Sequence, residues 1–335
     1  MKTFTNVNPR DMRQAVALAQ DAHQNGKTAA FAGGGSDVLQ LMKDRIVTPD
    51  LLVNLKALKG ADKIAVKPSS RGSAGAGLTI GGLATLNDIA HHATIKDRYT
   101  VLAEAAESVA TPQIRNVGTL AGNLCQRPWC WYFRNGFPCL KNGGRTCFSV
   151  TGENEFHAIF GGGPSYIVHP SDTAPALVAL DASFRVVGPA GERTVPASEF
   201  FALPTKDPAR ENVLQKDEVL AEILVPAPKP GTRSTYHKIL DREAWTHAVV
   251  GAAIVLEMDK DVCRSARIVL SGVAPIPWRV PEAEKLLTGQ RINPDLATKV
   301  GDAAVAGARP LAKNGYKVPL TSAVVRRTVT SLAMA

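Results

Sequence analysis

Three consecutive glycines, at positions 33–35, restrict the fold of the N-terminal region more than any other feature of the sequence. They stand between the apolar segment TAAFAGG and the amphipathic segment SDVLQLMKD, and a second apolar segment, LLVNL, follows at 51–55. Apolar runs bounded by such turn signals predict a strand, a glycine turn, a helix and a second strand. We therefore expect a compact α/β unit over residues 1–60.

The glycine turn is also a candidate anion site. A glycine backbone can adopt positive φ and approach an anion closely, and the helix that follows would add the positive end of its dipole. In chemical terms this is a cradle for a pyrophosphate. The run lacks both the Gly-Lys-Ser/Thr of a Walker loop and the pattern G-x-G-x-x-G with a downstream acidic residue. A tight structural turn explains it equally well.

A second candidate site is the segment 111–123, TPQIRNVGTLAGN. Two glycines, Gly118 and Gly122, allow the backbone to come close to a ligand. The side chains of Thr119 and Asn123 can bond the oxygens of a phosphate or a ribose. Taken alone, the segment is as consistent with a structural turn as with a binding site.

Four of the five cysteines lie close together, at Cys125, Cys130, Cys139 and Cys147, whereas Cys263 stands alone in an apolar segment. A secreted disulfide framework would spread its bridges over the domain. The spacing C-x4-C-x8-C-x7-C indicates one local thiolate site. It lacks the close cysteine pair of structural zinc sites, although zinc, disulfides and no metal stay open. Aromatic side chains to shield a cluster and basic ones to offset its charge stand nearby: Trp129, Trp131, Tyr132, Phe133, Phe137, Arg127, Arg134, Lys141 and Arg145.

The chain carries 39 basic and 30 acidic side chains in 335 residues, a net charge of +9 with neutral histidines. No basic run and no nucleic-acid-binding motif accompanies this charge, so we expect a basic solvated surface or a partner with an acidic face, not nucleic acid. No stretch reaches the roughly eighteen apolar residues of a membrane span. Because the N-terminus turns polar too early for a secretory signal, we expect a cytoplasmic protein, or a periplasmic one exported with a partner subunit.

Prolines and a glycine at 226–231 predict a domain boundary. Before it we expect a loose hairpin at 61–78, helices at 85–92, capped by Thr85, and at 98–110, then a helix at 173–182 and strands at 184–188 and 218–226. After it, STYHKIL, HAVVGAAIVLEM and SARIVLSGV have the pattern of strands, and the tail at 281–335 has that of two or three helices.

Four motifs follow one another in a specific order: AGGGSD, TIGGLATLNDI, QIRNVGTLAGNL and HPSDTAPALVALDA. In this order they resemble the FAD-binding medium subunit of the molybdenum hydroxylases, which include aldehyde oxidoreductases, xanthine dehydrogenases and carbon monoxide dehydrogenases. The resemblance covers almost the whole chain, including YHKILDREAWTHAVVGAAI. It implies an α+β fold: a two-subdomain FAD-binding domain of the vanillyl-alcohol-oxidase/PCMH type, at 1–60 and 61–228, then a smaller α+β domain at 229–335 with an antiparallel sheet and helices.

The resemblance also implies roles for individual residues. The backbone of residues 33–36, with Asp37, would hold the FAD pyrophosphate, and Thr119, Gly122 and Asn123 would form a second cradle. Asp172 would bond the ribose or ribityl chain, Lys238 would approach the flavin ring edge, and His169 would be structural. The full implied set is Ala32, Gly33, Gly34, Gly35, Ser36, Asp37, Leu39, Thr111, Ile114, Gly118, Thr119, Gly122, Asn123, Ser171, Asp172 and Lys238.

One departure from the common family pattern concerns the spacing of two of these motifs. Asn123 and Asp172 stand 49 positions apart, whereas in most of the family the Ser-Asp pair follows the Asn-Leu pair closely. The insertion, at about 124–168, contains the cysteines. A subset, resembling the flavin subunits of periplasmic aldehyde oxidoreductase and hydroxybenzoyl-CoA reductase, carries an extra [4Fe–4S] cluster in such an insertion.

The implied cluster ligands are Cys125, Cys130, Cys139 and Cys147. The last three match the pattern of the subset, and the remaining ligand comes from Cys125 or from a later position. Position 165, where related chains can carry cysteine, is Ser165 here. His157 is a less favoured nitrogen ligand.

The function that the resemblance implies is an electron-transfer flavoprotein subunit, with no substrate-hydroxylating residue of its own. A molybdenum-cofactor large subunit would oxidise an aldehyde or N-heterocycle, and a [2Fe–2S] small subunit would pass electrons to FAD and on to an external acceptor. Two alternatives stay open: a stand-alone flavin oxidase or reductase, and a cysteine-ligated metal module that binds nucleic acid.

Overall fold

The computed structural model describes residues 1–67, 77–242 and 246–334 of the chain. The predicted hairpin at 61–78 and the segment YHKILDREAWTHAVVGAAI lie partly outside these residues. The strands that the structure describes form three sheets, and the strands of each sheet come from one of the predicted segments 1–60, 61–228 and 229–335. The division into domains stays a prediction.

The first sheet is parallel and follows the order in which the glycine turn was expected. Its region comprises β1 (Thr5–Val7), α1 (Met12–Gln24), β2 (Ala29–Ala32), α2 (Val38–Lys43) and β3 (Leu51–Asn54). The strand order is β1-β3-β2, and parallel neighbours need crossover connections, which α1 and α2 supply. The predicted succession of strand, turn, helix and strand is confirmed.

The second sheet is antiparallel and has helices on its inner face. Its region comprises β4 (Ile64–Lys67), β5 (Gly77–Gly81), α3 (Leu86–His91), α4 (Ala93–Arg98), α5 (Thr100–Glu107), α6 (Pro112–Arg115), α7 (Leu120–Cys125), α8 (Trp131–Arg134), α9 (Thr173–Ala179), β6 (Ser183–Gly188), β7 (Gly191–Pro196), α10 (Ala197–Phe200) and β8 (Val219–Val225). The order among the described strands is β4-β5-β8-β6-β7. Ile80, Leu102 and Leu177 pack in the core cluster that joins this sheet to the helices, where burial of apolar surface stabilises the fold.

The helix predicted at 98–110 is shorter in the structure, where α5 spans Thr100–Glu107. The structure has two helices here, α4 and α5, which meet at Tyr99. The backbone of Tyr99, with φ −136° and ψ 47°, leaves the helical region, and its side chain is fully buried in the core. The cap predicted for α3 is confirmed, because Thr85 Oγ1 accepts a hydrogen bond from Asp88 N at 3.1 Å.

The third sheet is antiparallel and is covered by three helices. Its region comprises β9 (Thr232–Ile239), β10 (Val250–Asp259), β11 (Val262–Ser271), β12 (Trp278–Arg279), α11 (Pro281–Leu287), β13 (Gln290–Arg291), α12 (Pro294–Val305) and α13 (Lys317–Met334). The order is β12-β11-β10-β9, with β13 paired to β11. Ile254, Ile268 and Val325 belong to the core cluster beneath the helices. An antiparallel sheet with helices was the arrangement expected here, and it is confirmed.

Between α7 and α9 the chain makes a long, mostly irregular excursion, which contains the cysteines. Buried ion pairs hold it to the rest of the molecule: Glu211 pairs with Lys141 Nζ at 2.7 Å and with Arg127 Nε at 2.8 Å. Lys141 and Glu211 are 1% and 5% exposed, so neither charge has solvent as an alternative partner. Within the described ranges no helix is both long and apolar enough to cross a membrane.

Candidate cofactor-binding site

A cleft of about 450 Å³ lies where residues from all three regions meet. This volume falls within the roughly 300–1,000 Å³ of typical small-molecule and cofactor sites. Nine residues predicted from the sequence line it: Ser36, Asp37, Thr111, Ile114, Gly118, Thr119, Gly122, Asn123 and Asp172. The other predicted residues, Ala32, Gly33, Gly34, Gly35, Leu39, Ser171 and Lys238, are not part of its lining.

The two glycine motifs pack directly against each other beside the cleft. A Cβ added to Gly34 would overlap the carbonyl oxygen of Val117, and one added to Gly33 would stand 2.7 Å from Thr119 Oγ1. Gly35 has φ +77°, a conformation that favours glycine. The glycines are thus required for close packing of the turn at 33–35 on the second motif, and this packing places Ser36 at the cleft.

Two threonines of the second motif serve as helix caps. Thr111 Oγ1 accepts a hydrogen bond from Ile114 N at 3.4 Å, and Thr119 Oγ1 accepts one from Gly122 N at 3.2 Å. Such caps fix where α6 and α7 begin. They position the residues around Gly118 that form the cleft wall.

Asp37 is tied to the insertion. Its carboxylate accepts hydrogen bonds from Arg127 N at 2.9 Å and from Arg134 Nη2 at 2.7 Å. Each of its two oxygens therefore has a charged or backbone donor from the excursion that contains the cysteines. In this structure Asp37 links the first cradle to the insertion, a connection that the sequence did not indicate.

Asn123 lies at the centre of a buried hydrogen-bond network. Its Oδ1 accepts from Ser171 Oγ and from Thr173 Oγ1, each at 2.6 Å. These two donors fix which way the amide points, since an amide oxygen can accept two hydrogen bonds. Ser171 therefore supports Asn123 and does not line the cleft itself. Thr173, which sequence reasoning missed, orients Asn123 in the same way.

Asp172 is buried in the cleft wall and has two partners from β9. Tyr236 Oη donates to its Oδ1 at 2.7 Å, and Lys238 Nζ donates to its Oδ2 at 2.7 Å. Burial raises the pKa of Asp172, whereas the Lys238 charge and the hydrogen bonds from Lys238 and Tyr236 lower it. Lys238 Nζ also donates to Ser108 O at 2.9 Å. The lysine thus neutralises Asp172, and its predicted contact with a flavin ring stays a prediction.

Three of the four clustered cysteines line one small enclosed cavity. These are Cys130, Cys139 and Cys147, together with Ser165. Burial raises the pKa of the Cys130 thiol to about 11, and the nearby Cys139 and Cys147 add to the rise. Cys125, at the end of α7, packs instead against the core of the second sheet. The structure therefore brings together three of the predicted ligands and places Cys125 outside their cavity.

Hydrogen-bond donors surround the sulfur atoms of the cavity. His157 Nε2 lies 3.4 Å from Cys130 Sγ, and Tyr166 N donates to Cys147 Sγ at 3.5 Å. Donors of this kind favour thiolates and tune the potential of a bound cluster. The basic residues predicted to offset a cluster are mostly engaged elsewhere, since Arg127 and Lys141 pair with Glu211.

All five cysteines are unpaired, so none of them forms a disulfide. Among the described residues, no three His, Cys, Asp or Glu side chains stand close enough to hold a single metal ion. A four-iron cube is larger than one ion and distributes its thiolates over its corners. The donor set around the cavity, which is rich in soft thiols, suits such a cluster in its chemistry.

A narrow cavity of about 50 Å³ lies between the cleft and the cysteines. It shares Trp129 and His247 with the cleft, and it shares Cys130 with the cysteine cavity. The Trp129 ring stands 5.0 Å from His247 and 4.4 Å from the guanidinium carbon of Arg134. Trp129 is therefore a fixed wall of the cleft and the chain neighbour of a cysteine.

Comparison with known proteins assigns this architecture. Residues 2–228 match the family model described as the FAD binding domain in molybdopterin dehydrogenase. The chain belongs to the FAD-binding medium subunits of the molybdenum hydroxylases. Residues 235–332 of this medium subunit match the C-terminal domain of the carbon monoxide dehydrogenase flavoprotein. The resemblance inferred from the motifs is confirmed, and the protein is an oxidoreductase flavoprotein subunit.

Relatives of this medium subunit match along its full length. It is 34% identical to the aldehyde oxidoreductase FAD-binding subunit PaoB of Escherichia coli, over 99% of this chain and 98% of that one. It is 29% identical to the carbon monoxide dehydrogenase medium chain of Hydrogenophaga pseudoflava, over 96% and 94% of the chains. A solved carbon monoxide dehydrogenase from H. pseudoflava superimposes with TM-score 0.74 and 26% identity, over 98% and 96% of the chains.

The medium subunit also shares its fold with quinoline 2-oxidoreductase from Pseudomonas putida 86. The TM-score is 0.75 at 22% identity, over 100% of this chain and 99% of that one. The expected α+β fold, with an FAD-binding domain followed by a C-terminal domain, is confirmed by these superpositions.

Proposed function

We propose that this chain is the electron-transfer FAD subunit of a heteromeric molybdenum hydroxylase that oxidises an aldehyde or an N-heterocycle, with an additional [4Fe–4S] cluster in its insertion. Relatives named aldehyde oxidoreductase and nicotinate dehydrogenase support these two substrate classes. Relatives named medium chain support a complex with larger and smaller chains. The proposed partners are a molybdenum-cofactor large subunit and a [2Fe–2S] small subunit.

The observation that carries the proposal is the adjacency of the cleft and the cysteine cavity. They are separated by one narrow cavity, and a single peptide bond joins Trp129 in the cleft wall to Cys130. Asp37 adds a second connection, because it lies at the cleft and binds Arg134 of the insertion. Two redox centres held this close would form one relay rather than two independent sites.

The residues of the cleft suit FAD. Gly34 packs closely against Val117 and does not itself line the cleft, but this packing places Ser36 and Asp37 in the cleft wall. We assign the pyrophosphate to the cradle that residues 33–36 form with the second motif, and the ribityl or ribose hydroxyls to Asn123 and Asp172. FAD supplies the ability to accept electrons and release them again.

The protein contributes orientation, charge and exclusion of water. Asn123 is held by two hydroxyl donors, so it presents its amide in one orientation. Asp172 is buried with Lys238 as its counter-ion. Burial alone would favour the neutral form of the Asp172 carboxyl group, whereas the Lys238 charge favours the carboxylate, which can accept a hydrogen bond. No group of this chain needs to activate a substrate, since substrate oxidation is assigned to the large subunit.

An absorbance spectrum with iron and acid-labile sulfide analysis, on chain purified anaerobically, tests the proposal. We expect flavin bands with about four irons and four sulfides per chain. The variant Cys139→Ala should lose the iron and keep the flavin, and Cys263→Ala is the matched control, because Cys263 is buried in β11 and does not line the cysteine cavity. Flavin without iron in the unaltered chain would contradict the cluster, and no flavin after reconstitution with FAD would contradict the whole proposal.

Co-expression with candidate large and small subunits tests the partners. We expect the chain to purify as a hetero-oligomer and to reduce an external acceptor only when the large subunit is present. Reduction of an acceptor by the isolated chain with an organic substrate would instead identify a stand-alone flavin enzyme.

A further inference from the structure

The cavity that gathers three cysteines has a fourth polar side chain in its wall. Ser165 lines it together with Cys130, Cys139 and Cys147, and it is 3% exposed. The remaining lining comes from aromatic and aliphatic groups and from Lys141, and Lys141 is paired with Glu211. Ser165 is therefore the one serine among the residues that line this cavity, because Ser149, whose Oγ lies 3.1 Å from Cys147 Sγ, is not among them.

Backbone contacts fix Ser165 beside the sulfur atoms. The next residue, Tyr166, donates its N–H to Cys147 Sγ at 3.5 Å. The carbonyl of Tyr166 accepts from Ala158 N at 3.0 Å, next to His157, whose ring contacts Cys130 Sγ. Both flanks of the cavity thus hold the segment around Ser165 in place.

Cys125 has a different environment. It ends α7 and packs against the core cluster of the second sheet, and it lines neither the cysteine cavity nor the narrow cavity beside it. Its surroundings are those of a half-buried structural cysteine packed against the core.

We propose that a [4Fe–4S] cluster in this cavity is held by three cysteine thiolates, from Cys130, Cys139 and Cys147, and by the side-chain oxygen of Ser165. The proposal rests on the proposed function, because it requires the cluster. It replaces Cys125 as the fourth ligand. A [4Fe–4S] cluster has four iron atoms, and each needs one protein ligand. The three cysteines supply three of these ligands, and we assign the fourth to Ser165 because it lines the same cavity.

A mixed ligand set has a measurable consequence. Soft thiolates are the preferred ligands of iron–sulfur clusters, and a hard oxygen is a poorer match. The iron bound to Ser165 is therefore the one most easily lost. On oxidation, [4Fe–4S]²⁺ releases this iron as Fe²⁺ and gives up one electron to the oxidant, which leaves [3Fe–4S]⁺; charge and iron balance in this step.

The experiment treats the anaerobically purified FAD-containing chain with one equivalent of ferricyanide, which is reduced to ferrocyanide. We expect the electron paramagnetic resonance signal of a [3Fe–4S]⁺ cluster to appear and one iron per cluster to be released. Ser165→Cys should resist this conversion, and Ser165→Ala should release the iron without oxidant. Cys125→Ala is the matched control and should behave like the unaltered chain. Flavin content reports folding in every variant.

Each of the other outcomes overturns the proposal in a distinct way. If Cys125→Ala loses the cluster or becomes labile while Ser165→Ala matches the unaltered chain, Cys125 is the fourth ligand. If the unaltered chain resists ferricyanide as well as Ser165→Cys does, the fourth ligand is not an oxygen. Absence of iron from the unaltered, flavin-containing chain would overturn the cluster itself, and with it both proposals.

Discussion

Lys238 and Asp172 form an ion pair of 2.7 Å between β9 of the third sheet and the wall of the cleft, with both side chains 5% exposed. This ion pair connects the C-terminal region to the candidate FAD site. Because Tyr236 on the same strand donates to the other oxygen of Asp172, one strand supplies a hydrogen-bond donor to each oxygen of the carboxylate. Stability of the fold and geometry of the cleft are therefore linked at this point.

The variant Asp172→Asn should lower the free energy of unfolding by about 3–5 kcal/mol, because it leaves Lys238 buried without a counter-ion. Urea denaturation at neutral pH measures this. Adding Lys238→Met should restore part of the loss, since the buried charge is then removed as well. Equal, additive losses from the two substitutions would contradict the coupling.

Gly34→Ala should abolish FAD binding. Its Cβ would overlap the carbonyl of Val117, so the two glycine motifs would have to move apart. The cleft residues that these motifs position would then be displaced. Flavin absorbance per chain, after purification and after reconstitution, is the measurement. Gly307→Ala is the control, because no atom lies within 4 Å of the added Cβ. Full flavin content in Gly34→Ala would show that this packing is dispensable.

Acid should destabilise the protein through His169. Burial lowers the pKa of this histidine from 6.5 to about 3, so the folded protein keeps it neutral while the unfolded chain binds a proton below pH 6.5. The stability is present above pH 6.5 and is lost as the pH falls towards the folded pKa. This one group should remove on the order of 2 kcal/mol between pH 7 and pH 5.

Urea denaturation of His169→Gln at both pH values checks this. The difference between pH 7 and pH 5 should shrink by that amount, while His91→Gln, at an exposed position, should leave it unchanged. An unaltered difference in His169→Gln would assign the acid sensitivity to other groups.

Trp129→Leu should slow electron transfer between flavin and cluster severalfold and leave both reduction potentials unchanged. The indole stands between the cleft and Cys130, and replacing it by a smaller aliphatic side chain opens a gap across which electrons tunnel less readily. Flash photoreduction of the flavin, followed at the cluster absorbance, measures the rate. Trp131→Leu is the matched control, because Trp131 is 65% exposed.

Much of the local structure could be predicted from the sequence because it depends on neighbours in the chain. The turn at 33–35 needs glycine for its conformation. Thr85 caps α3, which begins at the next residue. The order of the glycine motifs identified the family, and nine of the predicted binding residues do line one cleft. The break at Tyr99, after which the predicted helix begins at Thr100, was missed because the fully buried position of Tyr99 is decided by distant parts of the core.

The partners of charged and sulfur-containing side chains depended on tertiary structure. Asp37 was predicted to be part of a phosphate cradle. In the folded chain its carboxylate accepts a hydrogen bond from Arg134, which lies 97 positions away in the sequence. Lys238 looked available to a flavin, and folding paired it with Asp172. Cys125 is the nearest thiol in sequence to Cys130, yet it faces a different core, whereas Ser165 reaches the cavity from beyond the loop.

The sequence by itself determined the class of fold, the flavin-binding family and the insertion with its cysteines, since composition, turn chemistry and motif order are properties of the chain alone. Only the tertiary structure decided which groups meet. It brought three cysteines and Ser165 to one cavity, and it placed a narrow cavity, lined by Trp129 and Cys130, beside both that cavity and the cleft. Contacts between residues far apart in sequence arise from packing of the whole core, and no local pattern records them.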